Sequence, residues 1–326
     1  MLKAQNKKLA KLYFRLANAR VVFTLGATYV INQLLIIVIL GEYGQDLLRL
    51  QTTFDPELFR RILSEWEGAG FAAYKKHFYP DCMHPLIYSF FLASAWAFFT
   101  RREGAYPSPG VMVMFVLPFV AGFCDLVENA LHLLMISDLE HIPTYMVKAG
   151  ALVANTKWLL SSVSILVTLV AYWRYAMRKR EVFTEISILA DPIVIWEILT
   201  NLENYSQWNP FVVLSRGKAE VGARLECRPR MPGSKRILKF HPVVTRVVPQ
   251  KEFAWHGHTL FHGLADGEHI FEFFPEEDGS IRLVHRQEFW GLAIPVVWRA
   301  IASKTEQGFD LMNRALKEKA EQRMKK

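Results

Sequence analysis

Hydrophobic and polar positions give the chain two textures that meet near residue 180. Before it, apolar residues come in long blocks. After it, they alternate in short runs broken by glycine and proline. Residues 21–40 (VVFTLGATYVINQLLIIVIL) carry no charge and are long enough to cross about 30 Å of hydrocarbon as a helix. A basic stretch precedes them, as in a signal peptide, but the run is long and ILGEYGQ offers no small-x-small cleavage site, so it reads as an uncleaved span. Residues 86–99 are apolar but short. A crossing helix there has to begin near Tyr79 and cover 80–100, which draws Asp81 and His84 into its outer turns. Residues 111–136 and 156–177 complete four expected spans. Tyr145, Trp158, Tyr172, Trp173 and Tyr175 fall near span ends, where interfacial aromatics belong.

Between the first two spans, Asp55-Pro56-Glu57 is a helix start, an N-cap followed by proline in the first turn. Leu58, Phe59, Ile62, Leu63 and Trp66 then form an apolar stripe, which predicts a short amphipathic helix over 56–67 lying on the bundle or at the outer interface. The rest of 41–80, and residues 137–154, read as external connections.

Charge adds orientation. The 326 residues carry a formal net charge of +8, and the basic residues crowd at the ends of apolar blocks: Lys3, Lys7, Lys8, Lys11, Arg15 and Arg20, then Arg101 and Arg102, then Arg174, Arg178, Lys179 and Arg180. A nucleic-acid binder would stripe a folded surface instead, so that class is excluded. The positive-inside rule places both termini in the cytoplasm of an integral, multi-pass membrane protein. Domain one is then a four-helix transmembrane bundle over 1–180, and domain two a cytoplasmic domain over 181–326.

Within the third span Asp125, Glu128, Asn129 and His132 stand at i, i+3, i+4 and i+7, one helical face. Ionisable groups at bilayer depth are expensive and mark a site or a buried network. With Asp81 and His84 of span two, and Asn155 and Lys157 at the opening of span four, they are expected to form one polar layer in the outer half of the bundle, with Lys157 neutralising carboxylates. Tyr74, Asp81, Pro85 and Tyr88 make a further patterned string. Three readings stay open: a structural network, a pocket for a polar headgroup, and a divalent metal held by Asp81, His84, Asp125, Glu128 and His132. Lys157 would compete with such a metal for the carboxylates. No other cofactor is signalled. Cys82, Cys124 and Cys227 make no spacing motif and read as isolated thiols.

In the second half, residues 182–190 alternate like a strand and Asp191-Pro192 opens a short helix. β-rich stretches follow at 223–227, 236–248, 252–256, 269–274 and 281–289, with a long amphipathic helix over 295–323. His241, His269 and His285 are read as strand histidines. No nucleophile elbow, phosphate loop or zinc-spaced Cys/His set is recognised.

D-P-x-x-x-W-E-x-L (191–199), W-N-P-F (208–211), G-E-H-x-F (267–271), L-V-H-x-x-E-F-x-G (283–291) and G-F-D-x-M-N-x-A-L-K (308–317) occur in order. This segment, 182–322, resembles the START-like (SRPBCC) superfamily in its polyketide cyclase/dehydrase-like branch. The resemblance implies an α+β helix-grip fold, an antiparallel sheet wrapped on a long C-terminal helix around a deep apolar cavity. It also implies a hydrophobic ligand: a lipid, quinone, sterol or polyketide-like molecule. Candidate lining residues are Trp208, Phe211, Trp255, Phe271, Phe273, Phe289, Phe309 and Met312. His269, His285 and Glu288 are the candidates for acid/base chemistry. The leading expectation is a non-enzymatic binder or carrier at the inner leaflet. The alternatives are an enzyme, metal-dependent in the membrane half or cyclase-like in the cavity, and a transmembrane ligand sensor.

Overall fold

The structure, a computed structural model, describes residues 2–66, 68–101, 106–234 and 237–325. Arg102, Glu67 at the end of the expected external helix, Arg236 at the head of an expected strand, and the side chain of Lys3 lie outside the described residues. The chain divides into two compact units, Met1–Tyr172 and Trp173–Lys326.

The first unit is helical: α1 (Leu2–Leu16), α2 (Ala19–Leu40), α3 (Gly44–Thr52), α4 (Pro56–Glu65), α5 (Ala69–Asp81), α6 (His84–Thr100), α7 (Pro109–Ser137) and α8 (Thr144–Ala176), whose last turn enters the second unit. Ala19–Thr52, Pro109–Ser137 and Thr144–Ala176 are long and apolar enough to cross a membrane, and the bent pair α5–α6 raises the number to as many as four.

The continuous helix expected over 80–100 is broken. Helix α5 stops at Asp81, α6 starts at His84, and the two are bent by 44°. Pro85 supplies the reason: it has no N–H for the carbonyl of Asp81, and in a continuing helix its ring would strike that carbonyl. In the first turn of a new helix neither defect matters.

Two expected connections are also largely helical. Residues 41–80 hold α3 and α5 besides α4, and the α4 stripe is not left at an interface. Phe59, Ile62, Leu63 and Trp66 are buried among Leu50, Tyr74, Phe78, Met135 and Val147. Helix α8 begins at Thr144, so Asn155 and Lys157 lie inside a 33-residue helix instead of at its start.

The second unit is α+β and helix-grip-like: β1 (Arg180–Ile188), α9 (Pro192–Thr200), β2 (Val212–Arg216), β3 (Glu226–Pro229), β4 (Val243–Val248), β5 (Glu252–His258), β6 (Asp266–Pro275), β7 (Ile281–Trp290) and α10 (Ile294–Met324). Strands β1-β7-β6-β5-β4 form one antiparallel sheet, and β2 pairs with β3. Asp191 caps α9 by accepting from the N–H of Ile193 at 2.8 Å, and Pro192 occupies its first turn. Helix α10 buries Phe309, Met312, Leu316 and Ala320 against Phe253, Phe271, Phe273 and Leu283 of the sheet.

Strand β2 is not foreseen by the alternation, and 237–242 form only isolated bridges before β4. Proline at 242 has no N–H for a ladder. His241 therefore stands outside any strand.

Candidate functional sites

A cavity of about 410 Å³ opens in the second unit, within the usual range of small-molecule sites. Strand periodicity of two aims Trp255, Gly257, Gly267, His269, Gln287 and Phe289 into it, while α10 contributes Val297, Ile301 and Thr305. Of the candidate lining residues, Phe211, Trp255 and Phe289 face the cavity. Trp208, Phe271, Phe273, Phe309 and Met312 do not line it. The last four are buried core, and Trp208 packs against that core. Aromatic bulk alone does not separate lining from packing. Cys227 also lines the cavity, and burial pushes its thiol up to about 11, so it stays protonated.

His269 and His285 meet across neighbouring strands, their Nε2 atoms 2.6 Å apart. The tautomers follow from the groups behind them. Thr184 Oγ1 donates to the carbonyl of His285 at 3.0 Å, so it accepts from Asn313 Nδ2, also at 3.0 Å. That leaves Asn313 Oδ1 to accept from His285 Nδ1–H at 2.7 Å. His285 Nε2 is then the acceptor, His269 Nε2–H the donor, and His269 Nδ1 keeps a lone pair. Burial holds His285 down to about 3, against the Asn313 hydrogen bond, and it holds His269 well below the ordinary histidine value, with His285 adding to the effect. Both rings are neutral near pH 7. His269 is a hydrogen-bond acceptor more than a strong base.

Glu288 does not join them. Residues 285 and 288 differ by an odd number along β7, so their side chains leave opposite faces of the sheet. Glu288 pairs with Lys179 at 2.5 Å and with Arg286 at 3.0 Å. Both cations hold its carboxyl below the usual range, the Lys179 hydrogen bond most strongly. Arg286 also reaches Glu272 at 2.8 Å and Glu181 at 3.2 Å.

A second cavity, of about 520 Å³, lies within the first unit. Asp81, His84, Tyr88, Asp125 and Lys157 line it together with Gln33, Gln51, Ser161 and many apolar side chains. Lys157 Nζ stands 3.2 Å from Asp125 Oδ1 and 2.6 Å from Glu128 Oε2, with all three side chains buried. Asp125, Glu128, Asn129 and His132 are all buried on α7, but the expected layer separates into two parts. Glu128, Asn129 and His132 do not line the cavity. His132 Nδ1 meets Tyr74 Oη at 2.5 Å, and its ring abuts Phe59. His84 Nδ1 faces Asn32 Oδ1 at 2.7 Å, and Asn32 Nδ2 donates to the carbonyl of Pro80 at 3.0 Å. That bond orients the Asn32 amide, so His84 Nδ1 is the donor. Asn32, Gln33 and Gln51 were not among the expected polar residues. Asn-Gln at the centre of a charge-free apolar run is the signal that would have found the first two.

Among the described residues, one set of three His, Cys, Asp or Glu side chains brings ligand atoms within 4.8 Å of one another, and it is His256, His262 and Asp266. It is not the set expected in the membrane half, where Lys157 occupies the space between the carboxylates. The sequence signal is H-x-H-x₃-H-x₃-D over 256–266, three histidines within seven residues.

Comparison with known families matches residues 179–321 to the family described as polyketide cyclase / dehydrase and lipid transport. No curated protein matches the chain. Among solved structures, the ZhuI aromatase/cyclase of a Streptomyces species is 14% identical, covering 45% of this chain and 96% of that one, with a TM-score of 0.39. A START superfamily protein of Mycobacterium smegmatis is 18% identical, covering 44% and 97%, with a TM-score of 0.37. The family match takes in the whole sheet and nearly all of α10, and none of the helical unit. Residues 179–321 thus form a domain that matches the polyketide cyclase / dehydrase and lipid transport family, in line with the START-like resemblance of its motifs.

Proposed function

We propose that the protein is an integral membrane protein whose START-like domain binds or transfers a hydrophobic small molecule, such as a lipid, quinone, sterol or polyketide-like molecule. The observation that carries this reading is the 410 Å³ cavity, walled by Trp255, Leu264, Phe289, Val297 and Ile301, with the acceptor ring of His269 among few polar groups. Burial of an acyl chain contributes about 0.8 kcal/mol per CH₂, enough for such a cavity to compete with a bilayer. Positive-inside orientation places both termini, and so this domain, in the cytoplasm. Three residues separate the end of α8 at Ala176 from β1 at Arg180, a short link that supports the inner leaflet as the source of ligand.

The test is native mass spectrometry of the full-length protein in detergent, offered lipid, quinone and sterol extracts. One bound molecule per chain is expected in the wild type, and a loss of at least tenfold in occupancy in Thr305→Trp, which fills the cavity from α10. A protein that takes up none of the extracts, or a variant that binds as well as the wild type, would refute the assignment.

A second reading concerns the other cavity. Two carboxylates, Asp125 and Glu128, share the single ammonium of Lys157, and Asp81 and His84 stand on the same cavity wall as Asp125 and Lys157. A polar headgroup with its chain against the apolar wall suits that arrangement, as a site independent of the START-like cavity.

A further inference from the structure

We propose that His256, His262 and Asp266 bind a divalent transition-metal ion on the β5–β6 hairpin. The inference rests on these side chains alone and stands whether or not the START-like cavity takes a hydrophobic ligand.

The hairpin places the three groups together. His256 is on β5, Asp266 opens β6, and His262 is carried by the loop between them. His256 pairs with Glu268 and His258 with Asp266 in the ladder, so His256 and Asp266 are diagonal neighbours on one face. Asp266 Oδ1 lies 3.3 Å from His256 Nε2 and 3.1 Å from His262 Nδ1. Two ligands at bond lengths of about 2.0–2.2 Å on a tetrahedral ion stand about 3.3 Å apart, so the spacing is already that of a metal shell.

Hydrogen bonding alone leaves this cluster incomplete. His256 Nε2 is buried and makes no hydrogen bond, since its 3.3 Å approach to Asp266 lacks the alignment of one. A buried ring nitrogen without a partner costs about 1–3 kcal/mol, and a cation supplies the missing partner. Two neutral imidazoles and one carboxylate carry a single negative charge, a donor set that suits Zn²⁺ and its neighbours and not Mg²⁺ or Ca²⁺.

The surroundings hold the donors in place, as outer groups do at metal sites. Asp266 is 3% exposed, and its Oδ2 accepts from the N–H of Gly263 at 2.5 Å. The His256 ring lies nearly parallel to the rings of His262 and Trp290, with interplanar angles of 13° and 9°. The loop is tied to the start of α10, the N–H groups of Leu292 and Ala293 each donating at 2.8 Å to the carbonyls of Gly263 and Leu264. Three protein donors leave coordination positions for water or for an oxygen of another molecule. Asp266 and His258 are also cavity-lining residues, so the ion would stand at the cavity rim.

Full-length protein in detergent, stripped with chelator, is titrated with Co²⁺ and followed by its visible d–d absorption, with Zn²⁺ content measured by mass spectrometry after dialysis. One ion per chain is expected. His256→Ala, His262→Ala and Asp266→Asn are expected to lower affinity at least tenfold, and His241→Ala to leave it unchanged. His262 is largely exposed, so its variant keeps the hairpin fold, which the metal-free melting temperature checks. Absence of a stoichiometric ion would overturn the proposal. So would binding that survives in all three variants and disappears in Asp125→Asn, which would put the ion in the helical unit.

Discussion

Burial keeps His285 and His269 neutral in the folded domain, and unfolding returns both to ordinary histidine behaviour. Their folded values are lowered, to about 3 for His285, so between about pH 6.5 and 3 the unfolded chain binds more protons than the folded one. Their contribution is complete above about pH 6.5 and is lost as the pH falls towards 3, at up to about 1.4 kcal/mol per unit for each ring. Denaturant melts of the full-length protein, read by tryptophan fluorescence, are expected to show this loss between pH 7 and pH 5. His285→Gln is expected to cost about 1–3 kcal/mol at pH 7, because Asn313 and His269 lose a partner, and to flatten the pH dependence. An unchanged slope in that variant would assign the acid sensitivity elsewhere.

Packing of elements turns on small residues at close approaches. On α7, a Cβ added to Gly122 would meet Ser89 Oγ and stand 2.9 Å from the carbonyl oxygen of Pro85 on α6. Ser89 itself donates to the carbonyl of Pro118 at 2.7 Å. The serine can turn away, but the Pro85 backbone cannot. Gly122→Ala is therefore expected to destabilise the α6–α7 pair by about 1–3 kcal/mol, read as a lower melting temperature in detergent. A variant as stable as the wild type would mean the helices slide apart freely. Elements of this kind were legible where local rules dominate. Asp55-Pro56 and Asp191-Pro192 mark helix starts, and the charge-free run 21–40 lies within α2. The break at Cys82–Met83 was not legible, because hydropathy is blind to it, although Pro85 carries the reason. Side-chain direction was legible only in part. That His269 and His285 lie on neighbouring strands follows from the strand order, but which way Glu288 points follows from counting along β7. Which aromatics border empty space depends on the packing of three elements at once.

For the whole molecule, the proposed topology makes an asymmetric labelling pattern. Cys82, at the break between α5 and α6, is exposed, Cys124 is half-buried and Cys227 is buried. With both termini in the cytoplasm, a membrane-impermeant maleimide applied to intact cells is expected to label Cys82, and Cys82→Ser to abolish the signal. Labelling that requires permeabilised cells would invert the orientation and move the START-like domain to the outside. If that domain takes up the proposed hydrophobic molecule, its sheet limits how the cavity can deform. Arg286 on β7 grips Glu181 on β1 and Glu272 on β6, and Arg282 joins Glu185 on β1 to Glu276 beyond β6. These ties add to the continuous backbone ladders that join β1 to β7 and β7 to β6 into one plate. At the end of the sheet residues 259–265 bridge β5 to β6, and Leu260 sits at φ +61°, a conformation costly for its side chain. Such a plate would keep its shape while a ligand entered or left, and the adjustable wall would be α10, whose Val297, Ile301 and Thr305 line the cavity.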